Sequence, residues 1–362
     1  MTRSNFLLLL LGAASTLAYA AALGLADLRK DTLGFEIAFF AVFLLYLAAC
    51  AIILRQPPNR STTDHRLLIT ISFALLFRLT LLPSRPSLSD DMYRYVWDGR
   101  VQGHGLSPYR YPPKAIEVAD LRRGDTTVWR YINRKEVVTV YPPGAQMVYA
   151  AIWRVIGDSV IGFKTAFVMA ELIGGLLLIR LLQHFGQPPE RVLIYLWSPL
   201  LVFEVAHAGH VDGLMLPFLI AAFWARVKER HWLTGVFLGA AAMIKLFPAI
   251  LLIALLPLPK TWEVSKDFRG LRPALKTLVA FFGIITAGYA VYLVGDASPV
   301  GFLPKYLGEN FNMGIARLLF DVAPRLGMSG AILVNAITFG GLAVMGLGFV
   351  IKPAESGREA LA

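Results

Sequence analysis

The sequence predicts an all-α integral membrane protein, a bundle of about 9–11 transmembrane helices interrupted by one large polar loop. Three observations predict it. Of 362 residues, 56% are hydrophobic and only 16% are charged, whereas a soluble domain carries about a quarter. Several apolar runs exceed the roughly 20 residues that cross a bilayer core. Lysines and arginines gather in the short segments between those runs, as orientation bias requires. The net charge of +11 therefore reflects loop placement and gives no reason to expect a nucleic-acid partner. The lone cysteine, Cys50, lies inside an apolar run and reads as packing.

The apolar segments, in order, are 5–26, 34–54, 66–82, 142–157, 159–182, 191–206, 212–226, 232–258, 273–294 and 329–351. The first has the Arg3, Phe6–Leu11, Ala18-Tyr19-Ala20 pattern of a signal peptide, but the run continues to Ala26 and is expected to stay as a helix. Residues 1–82 thus form N-terminal transmembrane helices, 83–141 a large loop, 142–351 a membrane core with a second loop at 295–312, and 352–362 a polar tail. Arg55, Arg60 and Arg66 cluster after the second span. Arg226, Lys228 and Arg230 precede Trp232, and Lys260, Lys266, Arg269 and Arg272 precede the span at 273. Placing these inside puts the N-terminus inside and 83–141 outside; the ten basic residues of that loop do not oppose this, since long loops translocate despite their charge. An odd number of crossings must then separate residue 83 from the basic 183–191 connection. The segment 142–157, with two prolines at its start and Arg154 within, is expected to lie in the interface or re-enter. The 27-residue run 232–258 is expected to be a hairpin of two short helices broken at Lys245–Pro248.

The densest chemistry lies at Ser89–Arg100, where three carboxylates, two arginines and three aromatic rings occupy twelve residues. If helical, this stretch aligns Asp91, Arg94, Tyr95 and Asp98 on one face. A carboxylate beside an arginine stays ionised and suits a general base, which makes Asp91 the leading catalytic candidate. Asp90 is a rival that also suits a helix cap. Tyr93 and Trp97 add rings, and Arg100 adds a cation. The turn Gly103–Pro113 offers Tyr109; Tyr141-Pro142-Pro143 returns the chain to the membrane, with Tyr141 as an interface anchor and Gln146 as a polar group on an apolar segment. Glu204, His207, His210 and Asp212 fall at a junction between spans, where ionisable groups are functional by default. A metal would need an unusual turn at Gly209, so hydrogen bonding to a polar substrate is the expected role. Lys245, a dozen residues from either end of its run, needs an anionic partner, for which a phosphate is the obvious candidate. Lys305 is a weaker phosphate candidate, and Asn310 or Asn312 would cap a following helix.

The ordered motifs Asp90-Asp91-x-Tyr93-Arg94-Tyr95-x-Trp97-Asp98-Gly99-Arg100, Pro108-Tyr109, Tyr141-Pro142-Pro143-x-Ala145-Gln146, Ser198-Pro199-Leu200 with Gly209-His210-x-Asp212-Gly213, and Lys245-Leu246-Phe247-Pro248 resemble the bacterial polytopic mannosyltransferases of the C-type glycosyltransferase (GT-C) superfamily. The likeness is strongest to the α-1,6-mannosyltransferase-like proteins of mycobacterial lipoglycan synthesis and covers residues 66–312. It implies a multi-pass protein of the bacterial inner membrane, with its active site on the extracytoplasmic face and the first large loop supplying the catalytic base at Asp91. It implies a polyprenyl-phosphate sugar as donor, a hydroxyl on a glycan or glycolipid as acceptor, and no cofactor or metal. Family members usually continue for further spans beyond the point, near Lys352, where this chain turns polar. On this reading a hexose, expected to be mannose, passes with inversion. Arg94, Arg100, Lys245 and Lys305 offset phosphate charge, Tyr93, Tyr95 and Trp97 border the sugar or the lipid boundary, and His207, His210 and Asp212 bind hydroxyls. The alternatives are a transporter or flippase of lipid-linked sugars, which would be expected to show paired repeats that this sequence lacks, and an inactive scaffold.

Overall fold

The computed structural model describes residues 2–25, 27–55, 65–125, 127–258, 268–293, 297–306, 322–327, 329, 337 and 340–341. Among these the chain is helical, with no strand. Its elements run α1 (Arg3–Leu23), α2 (Thr32–Arg55), α3 (His65–Leu81), α4 (Asp91–Gly103), α5 (Val128–Tyr131), α6 (Pro143–Ile156), α7 (Val160–His184), α8 (Leu193–Leu196), α9 (Pro199–Leu201), α10 (Asp212–Val227), α11 (His231–Ile244), α12 (Leu252–Leu255), α13 (Arg272–Ala290) and α14 (Leu303–Tyr306). This is an all-α membrane protein: α1, α2, α7 and α13 are each long and apolar enough to cross a bilayer. Large side chains such as Leu17, Leu33, Leu44, Leu68 and Leu79 stay exposed on the bundle, a pattern that lipid rather than water satisfies.

Local sequence explains the helix ends. Thr2 caps α1 by accepting from the Asn5 amide, and Ser159 caps α7 by accepting from Gly162. Pro143 sits in the first turn of α6, where its missing N–H costs nothing. The expected span 191–206 is not one helix. It breaks into a 3-10 turn at Pro189–Val192, then α8, α9 and a π-turn at Val202–His207, because Pro199 cannot donate into a continuous ladder. The expected break in 232–258 is present: α11 stops at Ile244, Lys245 is extended with φ −146° and ψ 136°, and Phe247–Leu251 resumes as a 3-10 turn. The 14-residue α6 is shorter than a bilayer crossing and packs along α4. The expected span 329–351, Asn310 and Asn312 lie largely or wholly outside the described residues.

Packing assembles two groups. α1 lies on α2 and α3; α10 and α11 pair with α7 and α13. α4 is enclosed by α6, α5 and α7, with Met92 through Val101 all buried. A buried ion pair ties the first group to the second: Arg78 on α3 donates to both carboxylate oxygens of Glu171 on α7 at 2.6 and 2.7 Å, and to the carbonyls of Ala74 and Leu196.

Candidate active site

A cavity of about 750 Å³ opens at the N-terminal end of α4. It gathers residues from six separate stretches of chain: Arg29 from the α1–α2 turn, Asp90, Asp91, Arg94 and Tyr95 from α4 and its cap, Asn133 and Arg134 from the loop after α5, Tyr141 and Pro142 before α6, His210 and Asp212 at the start of α10, and Lys245 to Phe247 at the break after α11. Phe302, Leu303 and Tyr306 close a further side.

Asp91 is the first residue of α4 and accepts from Asn133 Nδ2 at 2.7 Å. No cation pairs with it among the described residues. Asp90 is the N-cap by position but its carboxylate makes no capping bond. It is held instead by Arg29, whose two terminal nitrogens reach its two oxygens at 3.1 and 3.2 Å. The two neighbouring carboxylates thus have different surroundings, one neutralised and one kept open by an amide.

Arg94 is buried, yet lines the cavity. Its Nε donates to Asp98 at 2.8 Å and one terminal nitrogen donates to the Val137 carbonyl at 3.1 Å, while the other has no partner among the described residues. A buried guanidinium nitrogen without a partner is costly, and an anionic ligand in the cavity would satisfy it. Lys245 donates to Asp212 at 2.7 Å. The extended backbone at Lys245 carries its ammonium out of the apolar run to the cavity wall, so the deep charge expected from sequence is half-exposed and already paired.

His210 is paired with Glu204. Gly209 makes this possible: its φ of +72° reverses the chain, and a Cβ there would lie 2.2 Å from the Met92 side chain. Burial alone would lower the His210 pKa, but the Glu204 hydrogen bond and charge outweigh it, aided by the charges of Asp91 and Asp212, and the net direction is up. Among the described residues, no three His, Cys, Asp or Glu side chains converge as metal ligands.

A sequence profile described as alpha-(1->6)-mannopyranosyltransferase, N-terminal domain, matches residues 10–259. The chain belongs to this family. It is 25% identical over 229 residues to alpha-(1->6)-mannopyranosyltransferase A of Corynebacterium glutamicum, covering 58% of this chain and 44% of that protein. It is 23% identical over 269 residues to a polyprenol-phosphate-mannose-dependent alpha-(1-2)-phosphatidylinositol pentamannoside mannosyltransferase of Mycobacterium tuberculosis, covering 73% and 58%. A GPI mannosyltransferase 1 of Aspergillus fumigatus matches at 27% identity over 34% of this chain and 32% of that protein. The chain spans about half the length of the bacterial relatives it matches. No solved structure matches.

Within this alpha-(1->6)-mannopyranosyltransferase family member, the cavity unites Asp90, Asp91, Arg94, Tyr95, Tyr141, His210, Asp212 and Lys245, all expected from sequence. The other expected residues lie elsewhere. Tyr93 packs on Tyr131 with ring centres 5.2 Å apart, and Trp97 packs on Trp129, both buried away from the cavity. Arg100 turns to Asp125 and Asp158, so it has no free charge for a phosphate here. His207 bonds Ser84 and Ser87, and Ser87 accepts from the Leu28 amide beside Arg29, so His207 braces the turn that carries Arg29 instead of facing the cavity. Gln146 is fully buried and donates to Asp98 and Thr139 at 2.8 and 2.7 Å, an orienting role for the Arg94–Asp98 pair. Tyr109 donates to the Tyr141 carbonyl at 2.7 Å and fixes that residue from behind. Lys305 is exposed on α14, outside the cavity that its neighbours Leu303 and Tyr306 line. The sequence reading missed Arg29, Asn133 and Arg134.

Proposed function

We propose that this protein is a membrane mannosyltransferase that moves mannose from a polyprenyl-phosphate carrier to a hydroxyl acceptor, with inversion. One observation carries the reading. Within a single cavity an amide-held carboxylate, Asp91, faces a set of cations that includes a buried guanidinium nitrogen with no partner among the described residues. Arg29, Arg94 and Lys245 line the same cavity, which suits an anionic head group. The relatives are mannosyltransferases by name, which supports mannosyl transfer, and the name of one includes polyprenol-phosphate-mannose dependence.

In the proposed reaction Asp91 removes the acceptor hydroxyl proton as that oxygen attacks the anomeric carbon. The bond from that carbon to the phosphate oxygen breaks on the opposite side, and polyprenyl phosphate leaves with the electron pair. Arg94 and Lys245 stabilise the charge it gains. Asp98 and Gln146 hold Arg94 in place. Leu246, Phe247 and Phe302 supply an apolar side through which a polyprenyl chain reaches the cavity from the bilayer. The cavity then faces the extracytoplasmic side of the bacterial inner membrane.

The test is transfer from labelled polyprenyl-phosphate mannose in membranes carrying the chain. Asp91→Asn should lower product formation by at least about 100-fold and spare donor binding. Transfer that falls less than about tenfold in Asp91→Asn, or a product retaining the donor's anomeric configuration, would overturn the mechanism. Donor movement across vesicles without any transfer would favour a flippase.

A further inference from the structure

A second cavity, of about 560 Å³, lies at the other end of α4. Arg100 is nine residues from Asp91, about two and a half turns, so the two cavities meet opposite faces of one helix, about 13.5 Å apart along its axis. Nothing in the proposed transfer uses this second space.

Its walls are built around one guanidinium. Arg100 is buried and donates through Nε to Asp158 at 2.9 Å, and through one terminal nitrogen to Asp125 and the Leu121 carbonyl. Trp153 Nε1 also donates to Asp158, at 2.7 Å, on the same Oδ1. That oxygen is therefore fixed by two donors, while the Asp158 side chain remains half-exposed. The half-buried Trp153 ring borders the same cavity with His104 packed 5.3 Å away. Burial pushes the Asp125 carboxyl up, but the Arg100 bond and charge and two backbone amides outweigh it, holding it below its usual value and so ionised.

The charge balance selects among ligands. Arg100 and Arg123 face Asp120, Asp125 and Asp158, so carboxylates outnumber cations and the charge balance disfavours a phosphate or other anion. What remains is a rigid carboxylate acceptor next to an aromatic ring, in an open polar cleft. This pairing suits a neutral polyhydroxylated ring, whose hydroxyls donate to the carboxylate and whose C–H face lies against the aromatic. We infer that the cleft of Asp158, Trp153, His104 and Arg100 is a second glycan-binding site, distinct from the reaction cavity, that holds a neutral oligosaccharide. The choice of a mannose-containing ligand rests on the proposed function; the site itself does not.

Isothermal titration of the full chain in detergent with neutral α-linked mannotetraose tests it. Wild type and Asp91→Asn should bind alike, and Asp158→Ala should bind at least tenfold more weakly. Should Asp158→Ala fail to fold, tryptophan fluorescence decides: mannotetraose should shield one tryptophan from a soluble quencher in wild type and none additional in Trp153→Phe. Absence of binding to wild type would overturn the inference. So would binding that is lost in Asp91→Asn but intact in Asp158→Ala, or preferential binding of mannose 6-phosphate. A failed transfer assay would leave the titration unaffected, so the two readings fail separately.

Discussion

Asn133 donates to Asp91 across 42 residues of sequence, at 2.7 Å, and this bond separates Asp91 from its neighbour Asp90, which Arg29 neutralises. A general base needs a fixed direction and a free lone pair, and an amide supplies the first without removing the second. Asp91→Asn should lower transfer by at least about 100-fold, the ordinary contribution of a positioned base. Asn133→Ala should lower kcat by roughly tenfold, because it removes one hydrogen bond of about 1–1.5 kcal/mol and leaves the carboxylate itself. Asp90→Asn should cost less than either. Initial rates with labelled polyprenyl-phosphate mannose rank the three; a larger loss for Asp90→Asn than for Asp91→Asn would reverse the assignment.

Lys245 and Asp212 carry the second prediction. Their pair at 2.7 Å holds the ammonium at the cavity wall before any donor is present. A hydrogen bond between charged groups is worth about 1.5–3 kcal/mol, so Lys245→Gln should raise the donor KM by about tenfold or more. Asp212→Asn should change it less, since the charge that meets the phosphate survives. An unchanged donor KM in Lys245→Gln would remove Lys245 from phosphate binding.

The pattern of legibility follows from what a linear sequence encodes. Helices α1, α2 and α7 lie within a few residues of their expected spans, because apolar length alone specifies them. The break at Lys245 was readable because a charge and a proline interrupt an apolar run. The break at Pro199 was not read, because one proline among Leu, Val and Phe barely lowers hydropathy. Asp91, Arg94 and Tyr95 were visible as one helical face. Asn133 was invisible: it sits in a polar loop without periodicity and is brought to Asp91 by tertiary folding alone. Arg29 looked like any loop cation. The placement of Arg100, Trp97 and Tyr93 outside the cavity has the opposite cause. Helical phase turns them to other faces of α4, and the carboxylates that absorb Arg100 lie 25 and 58 residues away.

His210 supplies a pH prediction. Its folded pKa is raised above the ordinary 6.5, so the protonated ring is favoured by folding. The stability that it contributes is fully present below the unfolded value and is lost as pH rises through the raised folded value. The melting temperature of wild type should therefore exceed that of His210→Gln most on the acidic side of 6.5. The gap should close progressively on the alkaline side of 6.5. Glu204→Gln should remove the same dependence. Thermal scans in detergent across neutral pH measure this, and a gap that widens with rising pH contradicts the assigned pair.

Arg78 and Glu171 join α3 to α7 with neither side chain accessible to solvent, and their bond pattern is nearly complete. Removing one partner of such a pair leaves a buried charge without compensation, at a cost of about 3–5 kcal/mol. Arg78→Met and Glu171→Leu should each destabilise the protein by that order. The double variant should be closer to wild type than either, because both charges leave together; what it still lacks is the donor to the Leu196 carbonyl. Unfolding in mixed micelles, followed by far-ultraviolet circular dichroism, reads all three. Additive losses in the double variant would show that the two side chains act independently, and the coupling between α3 and α7 would then have to rest on apolar packing alone.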